Sequence, residues 1–445
     1  MASGDRPIAI DFGASALKTL QLSVADDGAA IIAAAAVDTP ENLRTDATAR
    51  FAHQLTLLPR LVKGGGFRGK KVVCALPASQ TFTQHLQVQK VGGMTLADAV
   101  RAELNAQTGC DPKRVVVRPV EVRNVKGEDG ERTEVICFAV ARDLVMQLVG
   151  AFKKCRLELV GVHCQHIALL RSFDHITKRA SDANLTSLYI DIGADDTKVA
   201  IARGRDIVFA RTVRFGGALL DAAIAERLQC PLGEARARRL ANACYKALSD
   251  ESCAQRPAST GSSVATETAG SADGMAMLAA GMRAAVDAGA SPLRAPDAKY
   301  DAAIAEEDRR ANSPAPGAQV VHDTPPAPST PPTPQAPPAR LPADAPVNLT
   351  PEVESLIDEI AMGLRHHSRL FPNAVIERAI FVGGESHSRE LCQHIARTLR
   401  LPAQIADPLA PLMDRTETQG RGVNLGAAQP GWAIPFGLSF CPEDF

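Results

Sequence analysis

The chain has 445 residues, carries 49 Lys and Arg against 50 Asp and Glu, and is 45% hydrophobic. That length leaves room for two to four domains or subdomains, and the near-neutral balance gives no reason to expect nucleic acid or an anionic membrane surface as a partner. No apolar run approaches the roughly 18–20 residues that span a bilayer, and the start, MASGDRPIAIDFG, lacks the basic-then-apolar pattern of a signal peptide, so a cytoplasmic protein is expected.

In chain order, residues 8–12, 17–24 and 30–37 read as three strands. Ile8, Ala9 and Ile10 run into Asp11-Phe12-Gly13 and a small turn, Ala14-Ser15-Ala16. Residues 49–62 read as a helix with Phe51, Leu55, Leu58 and Val62 at helical spacing, and Pro59 should disturb its last turn. Residues 64–70 match the GxxxxGK part of a phosphate-binding loop. Lys71 stands where Ser or Thr is needed, however, and a helix precedes and a strand follows, the reverse of the required order. A solvated loop is the better reading. Residues 72–76, 81–88 and 95–107 then suggest strand, strand, helix. Strands over 115–125 and 134–141 flank a charged turn, a helix covers 143–156, and a strand covers 157–163. His163-Cys164-Gln165-His166 has metal-ligating residue types, but neighbours at a strand-to-helix junction diverge, so a metal is not expected. Ten cysteines are scattered without a CxxC pair, which reads as reduced, mostly buried thiols.

Residues 188–217 repeat the N-terminal figure. An apolar run ends in Asp191-Ile192-Gly193, a polar turn Ala194-Asp195-Asp196 follows, and two further β-branched runs close at Gly216-Gly217. This is the pattern of an antiparallel meander. In both copies a Lys stands seven residues after the Asp: Lys18 after Asp11, Lys198 after Asp191. A strand–DxG–hairpin recurring 180 residues on suggests two related lobes. Each would offer an Asp-tipped turn to a shared cleft, where backbone donors can grip a phosphate chain and carboxylates can hold Mg²⁺ through its waters. Helices are expected over 219–228 and 231–247. Residues 254–348 are rich in Ala, Ser, Thr and Gly, and twelve of the thirty prolines fall between Pro314 and Pro346. That composition reads as a disordered insertion, with one transient helix over 275–286. Order resumes at Leu349, with Thr350 as a helix cap and Pro351 in first position. A helix to residue 371, a strand over 376–382 ending in Gly383-Gly384, a helix over 389–399 and a last strand over 402–406 follow.

Two DxG hairpins followed by a strand ending in Gly-Gly resemble the actin/Hsp70/sugar-kinase superfamily, and within it the chain is most similar to the PilM family of type IV pilus assembly. The resemblance implies an α/β, two-lobed actin-like (ribonuclease H-like) ATPase fold with an inserted small α+β subdomain and the long disordered insertion. The expected division is 1–70 and 142–185 for the first lobe, 71–141 for the inserted partner-binding subdomain, 186–253 and 349–445 for the second lobe and C-terminal return, and 254–348 for the insertion. It implies ATP with Mg²⁺ between the lobes. Asp11 and Asp191 would order the metal's waters, and Gly13, Ala14, Ser15, Gly193, Ala194 and Asp195 would donate to the phosphates. Lys18 would reach the β- and γ-phosphates; Lys198 reads as a surface residue of the meander. Gly383, Gly384 and Glu385 would lie under the adenine. Gln165 stands where the family often has an acidic or amide group facing the nucleotide; water positioning and plain helix capping both stay open. Arg236 and Arg239 replace the Glu and Lys usual near ribose and base. Arg239 could still stack on or hydrogen-bond a base, or that helix face is simply solvated. These departures favour slow hydrolysis at most. The expected partner is an inner-membrane pilus protein with a PilN-like cytoplasmic N-terminal peptide, which would hold the chain at the inner membrane without a span of its own; homodimerisation stays open. Two function classes remain, an ATP-driven switch and a non-hydrolysing scaffold. A sugar or acetate kinase would need a second substrate pocket, and residues 218–254 suggest none.

Overall fold

A computed structural model describes residues 4–26, 28–90, 92–109, 111–127, 130–177, 180–241, 347–412, 423 and 425–443. All but the last two residues of the expected insertion, and residues 242–247 of the expected 231–247 helix, lie outside these.

Short β1 (Gly4–Asp5) leads into β2 (Ile8–Phe12), β3 (Ala16–Ala25), β4 (Gly28–Asp38), α1 (Ala47–Gly64) and β5 (Lys71–Leu76). Then come β6 (Phe82–Val88), α2 (Leu96–Thr108), β7 (Val115–Gly127), β8 (Gly130–Ala141), α3 (Arg142–Lys154), β9 (Glu158–Cys164) and α4 (Gln165–Arg171). The second half holds β10 (Thr186–Ile192), β11 (Thr197–Arg203), β12 (Asp206–Val213), α5 (Gly217–Leu228) and α6 (Leu232–Leu240). After the undescribed stretch come α7 (Thr350–Leu370), β13 (Ile376–Val382), α8 (Arg389–Leu399), β14 (Ala403–Ile405) and α9 (Ala433–Leu438).

Two sheets share one plan. The first runs β4–β3–β2–β5–β9, with β1 also paired to β3; the second runs β12–β11–β10–β13–β14. In each, three antiparallel strands follow one another through hairpins, and two parallel strands extend the sheet from the first of the three. The central strands β2 and β10 are buried along their whole length, as continuous apolar runs covered on both faces must be. Separate apolar clusters fill the lobes, one around Ile10, Leu58, Val72 and Phe152, the other around Ile190, Val199, Leu356 and Phe381.

A third sheet, β6–β8–β7, forms the inserted α+β piece, with α2 packed on it through Val100 and Leu104. The strand Lys71–Leu76 does not belong to it, contrary to a boundary at residue 71. That strand pairs in parallel between β2 and β9. Its sequence KVVCAL is buried from Val72 onward, the mark of a central strand and not of one with a solvated face.

Two local expectations also change. Pro59 does not end α1, which runs on to Gly64; the proline is exposed, and buried Leu58 and Leu61 hold the helix to the core across the missing N–H. Thr350 is the first helical residue and not the cap; Asn348 Oδ1 accepts from its N–H at 2.8 Å.

The end of the chain returns to the first lobe. Helix α9 packs against α4 and β2 within an apolar cluster that also takes Tyr189, Ala200, Ile380 and Val382 from the second lobe. Gly437 makes the α4–α9 crossing possible, since any Cβ there would run into the carbonyl of Ala168.

Candidate functional site

The cleft is built by the two hairpin tips. The spacing of seven residues makes Asp11 and Lys18 cross-strand partners in β2–β3, and Asp191 and Lys198 the same in β10–β11. Both aspartates end a buried strand, Asp11 at 6% and Asp191 at 4% exposure. One cavity of about 230 Å³ between the lobes is lined by both, together with Gly13, Ala14, Ser15, Lys18, Gln165, Gly193, Ala194, Asp195, Arg236, Arg239, Gly383, Gly384 and Glu385. Every residue expected from the sequence to hold nucleotide or metal therefore lines this one opening. The His163–His166 quartet diverges: His163 Nε2 meets Pro442 O at 3.0 Å, while His166 Nε2 meets Arg211 O at 3.1 Å.

At the first tip, Gln54 of α1 donates to Gly13 O at 2.8 Å and Gln165 donates to Asp11 Oδ1 at 2.8 Å. Gln165 Oε1 in turn accepts from the Ala78 N–H at 3.1 Å. Both ends of this amide are thus engaged, and Gln165 acts on Asp11, orienting it. Burial raises the Asp11 pKa, with Lys18 and the Gln165 hydrogen bond opposing. Lys18 extends to the carbonyl of Gly431 and lies 5.7 Å from the Trp432 ring centre; burial lowers its pKa.

The second tip is closed differently. Lys198 is buried, not on the surface, and its ammonium sits 2.9 Å from Asp196 and 3.4 Å from Asp191. Burial alone would lower its pKa, yet Asp191 and Asp196 prevail and raise it. The Gly193 N–H is committed to Asp196 O at 3.0 Å within the turn, so it is not the free donor expected. The N–H groups of Ala14, Ser15, Ala194 and Asp195 make no hydrogen bond among the described residues. Across the cleft, Arg50 of α1 holds the Asp195 carboxylate at 2.8 Å. One helix therefore braces both tips, through Gln54 and Arg50.

Opposite the tips, Gly383 takes φ +94°, and a Cβ there would strike the Ile192 carbonyl; only glycine fits this turn. Gly384 faces open space, with nothing within 4 Å of an added Cβ. Arg239 is not free for a base: it is 3% exposed and its guanidinium is forked between Asp221 and Glu385. Burial, with Arg239 opposing it and Asp221 adding to it, raises the Glu385 pKa to about 7. Arg236 lines the cleft half-buried. Free amide donors, a lysine and two carboxylates suit a magnesium-bound phosphate chain. The base end is less well supplied, because its arginine is already paired.

Arg50 and Asp221 were not singled out from the sequence. Arg50 belongs to a helix read only for its apolar stripe, and Asp221 to one with no site pattern, so only the packed structure shows their partners.

Residues 9–246 match the family described as Type IV pilus assembly protein PilM. Among solved structures, the chain is similar to one described as a PilM-PilN type IV pilus biogenesis complex, at 18% identity and TM-score 0.62, over 99% of this chain and 98% of that one. It also matches the ethanolamine utilization protein EutJ from Carboxydothermus hydrogenoformans at 10% identity and TM-score 0.38, over 99% and 90% of the two chains. MreB5 of Spiroplasma citri bound to ADP matches at 11% identity and TM-score 0.37, over 98% and 95%. No curated protein sequence matches the chain. The fold is the expected α/β, two-lobed actin-like one with a small inserted subdomain. Among the described residues, no helix is long and apolar enough to cross a membrane.

Proposed function

The chain belongs to the PilM family of type IV pilus assembly proteins, and from that premise we propose that it binds ATP with Mg²⁺ between its lobes and an inner-membrane pilus protein through the inserted subdomain. The partner is a protein with a PilN-like cytoplasmic N-terminal peptide. The observation that carries the nucleotide reading is the pair of hairpin tips lining one cleft, each with unengaged N–H groups at Ala14–Ser15 and Ala194–Asp195. Backbone donors of this kind hold phosphate oxygens without the desolvation cost of a flexible cation. Lys18 supplies the positive charge, and Arg50 neutralises the Asp195 carboxylate that would otherwise repel an anion. Asp11 and Asp191 are placed to hold the waters of Mg²⁺, which neutralises phosphate charge when bound.

The cavity of about 230 Å³ lies below the roughly 300–1,000 Å³ of small-molecule sites. A nucleotide would widen this cleft, and its occupancy would then act on the angle between the lobes. Turnover is slow, because Gln165 is spent on orienting Asp11 and an amide is a poor proton acceptor. A static scaffold is the second reading, favoured by the occupied Arg239 and the closed Lys198–Asp191 pair.

Titration calorimetry with ATP and Mg²⁺ on wild type and Lys18→Met decides between them. Binding that weakens roughly tenfold or more in the variant, the effect of losing a charge-assisted hydrogen bond, supports the site. Equal heats rule it out, and no heat in wild type leaves the scaffold.

A further inference from the structure

Far from the cleft residues in sequence and on other elements, His85 of β6, Glu134 of β8 and His366 of α7 come together so that one ligand atom from each lies within 4.8 Å of the others. His85 Nδ1 and His366 Nε2 each stand 3.7 Å from the same Glu134 oxygen. Those contacts are too long for hydrogen bonds, and both nitrogens are buried without a hydrogen-bond partner among the described residues. The rings are fixed by their neighbours: His85 stacks on Phe209 at 5.0 Å, and His366 meets His85 edge-on at 4.7 Å.

From this geometry the structure assigns a binding site for a divalent transition-metal ion, zinc being the best match, at His85, Glu134 and His366. Two imidazoles and a carboxylate favour zinc and its late first-row neighbours over Mg²⁺. Tetrahedral bonds of about 2.1 Å separate ligand atoms by about 3.4 Å, so each imidazole–carboxylate pair closes by a few tenths of an ångström. His366, the most exposed of the three, has the freedom to complete the closure and leaves a fourth position for water.

Charge points the same way. The Glu134 side chain is 3% exposed, and a buried carboxylate needs a cation. Its cross-strand partner Arg123 turns away, donating to Leu370 O with its guanidinium over Phe371. The Ala210 N–H donates to His85 Nε2 at 3.3 Å, which places the ring proton on Nδ1 in the metal-free chain. Coordination through Nδ1 would put that proton on Nε2, facing the Ala210 N–H, so the ring has to turn from this amide as the ion binds. The ion joins β6 and β8 of the inserted sheet to α7 of the second lobe, and so staples the partner-binding piece in place.

The test uses full-length protein stripped with a chelator, then titrated with zinc chloride. One tight equivalent is expected, with a rise in melting temperature. The visible absorption of tetrahedral Co²⁺ should appear on substitution. His366→Ala, at a half-buried position of α7, and Glu134→Gln should each lose that equivalent or weaken it by at least about tenfold to a hundredfold, while matching wild type in circular dichroism. Unchanged stoichiometry and affinity in both variants would place the zinc elsewhere and overturn the assignment. So would no tight equivalent in wild type.

Discussion

The two Asp-tipped hairpins have the same backbone plan and the same Asp–Lys register, yet their lysines do opposite things. In the second lobe Lys198 turns inward and closes on Asp191 and Asp196. In the first, Lys18 leaves Asp11 to Gln165 and reaches Gly431 and Trp432, more than four hundred residues along the chain. The duplicated hairpin thus fixes where a carboxylate and an ammonium sit, while the elements packed around it decide whether they pair. One tip is a closed ion cluster that holds structure. The other turns its lysine away from the aspartate, to Gly431 in the cleft wall.

The comparison breaks most sharply at Asp191. Asp191→Ala leaves Lys198 buried with Asp196 as its remaining partner, and chemical denaturation should show a loss of about 1.5–3 kcal/mol; a loss under about 1 kcal/mol would make the second tip no tighter than the first. A pH series reads the neighbouring triad. The folded chain holds the Glu385 proton more tightly, at about 7 against an ordinary 4.5, so this contribution to stability is full below about 4.5 and is lost as pH rises toward about 7. The loss should reach at most about 3 kcal/mol in wild type and vanish from the profile of Glu385→Gln. Asp11→Asn should cost only about 1 kcal/mol or less, since an amide still accepts from Gln165 and a buried charge is removed. Lys18→Met gives up the hydrogen bond to Gly431 O and should likewise cost only about 1 kcal/mol, although it should weaken nucleotide binding.

The sequence shows the repeat because strand ends, DxG turns and a seven-residue Asp–Lys interval are local. It shows β2, β5 and β10 as strands because a central strand is apolar on both faces, but it does not show which sheet claims β5. That depends on pairing with Ile8–Phe12 and Glu158–Cys164. Lys198 looked like a surface lysine because its second carboxylate comes from the turn and its burial from the closed lobe. Arg239 looked free because Asp221 and Glu385 reach it from separate elements. Side chains whose partners are far off in sequence carry no local mark of pairing.

Amide hydrogen exchange with and without ATP and Mg²⁺ tests residue by residue whether both tips grip one phosphate chain. Ala14, Ser15, Ala194 and Asp195 should gain protection together. Protection of one tip alone, or of neither while nucleotide is bound, would contradict it.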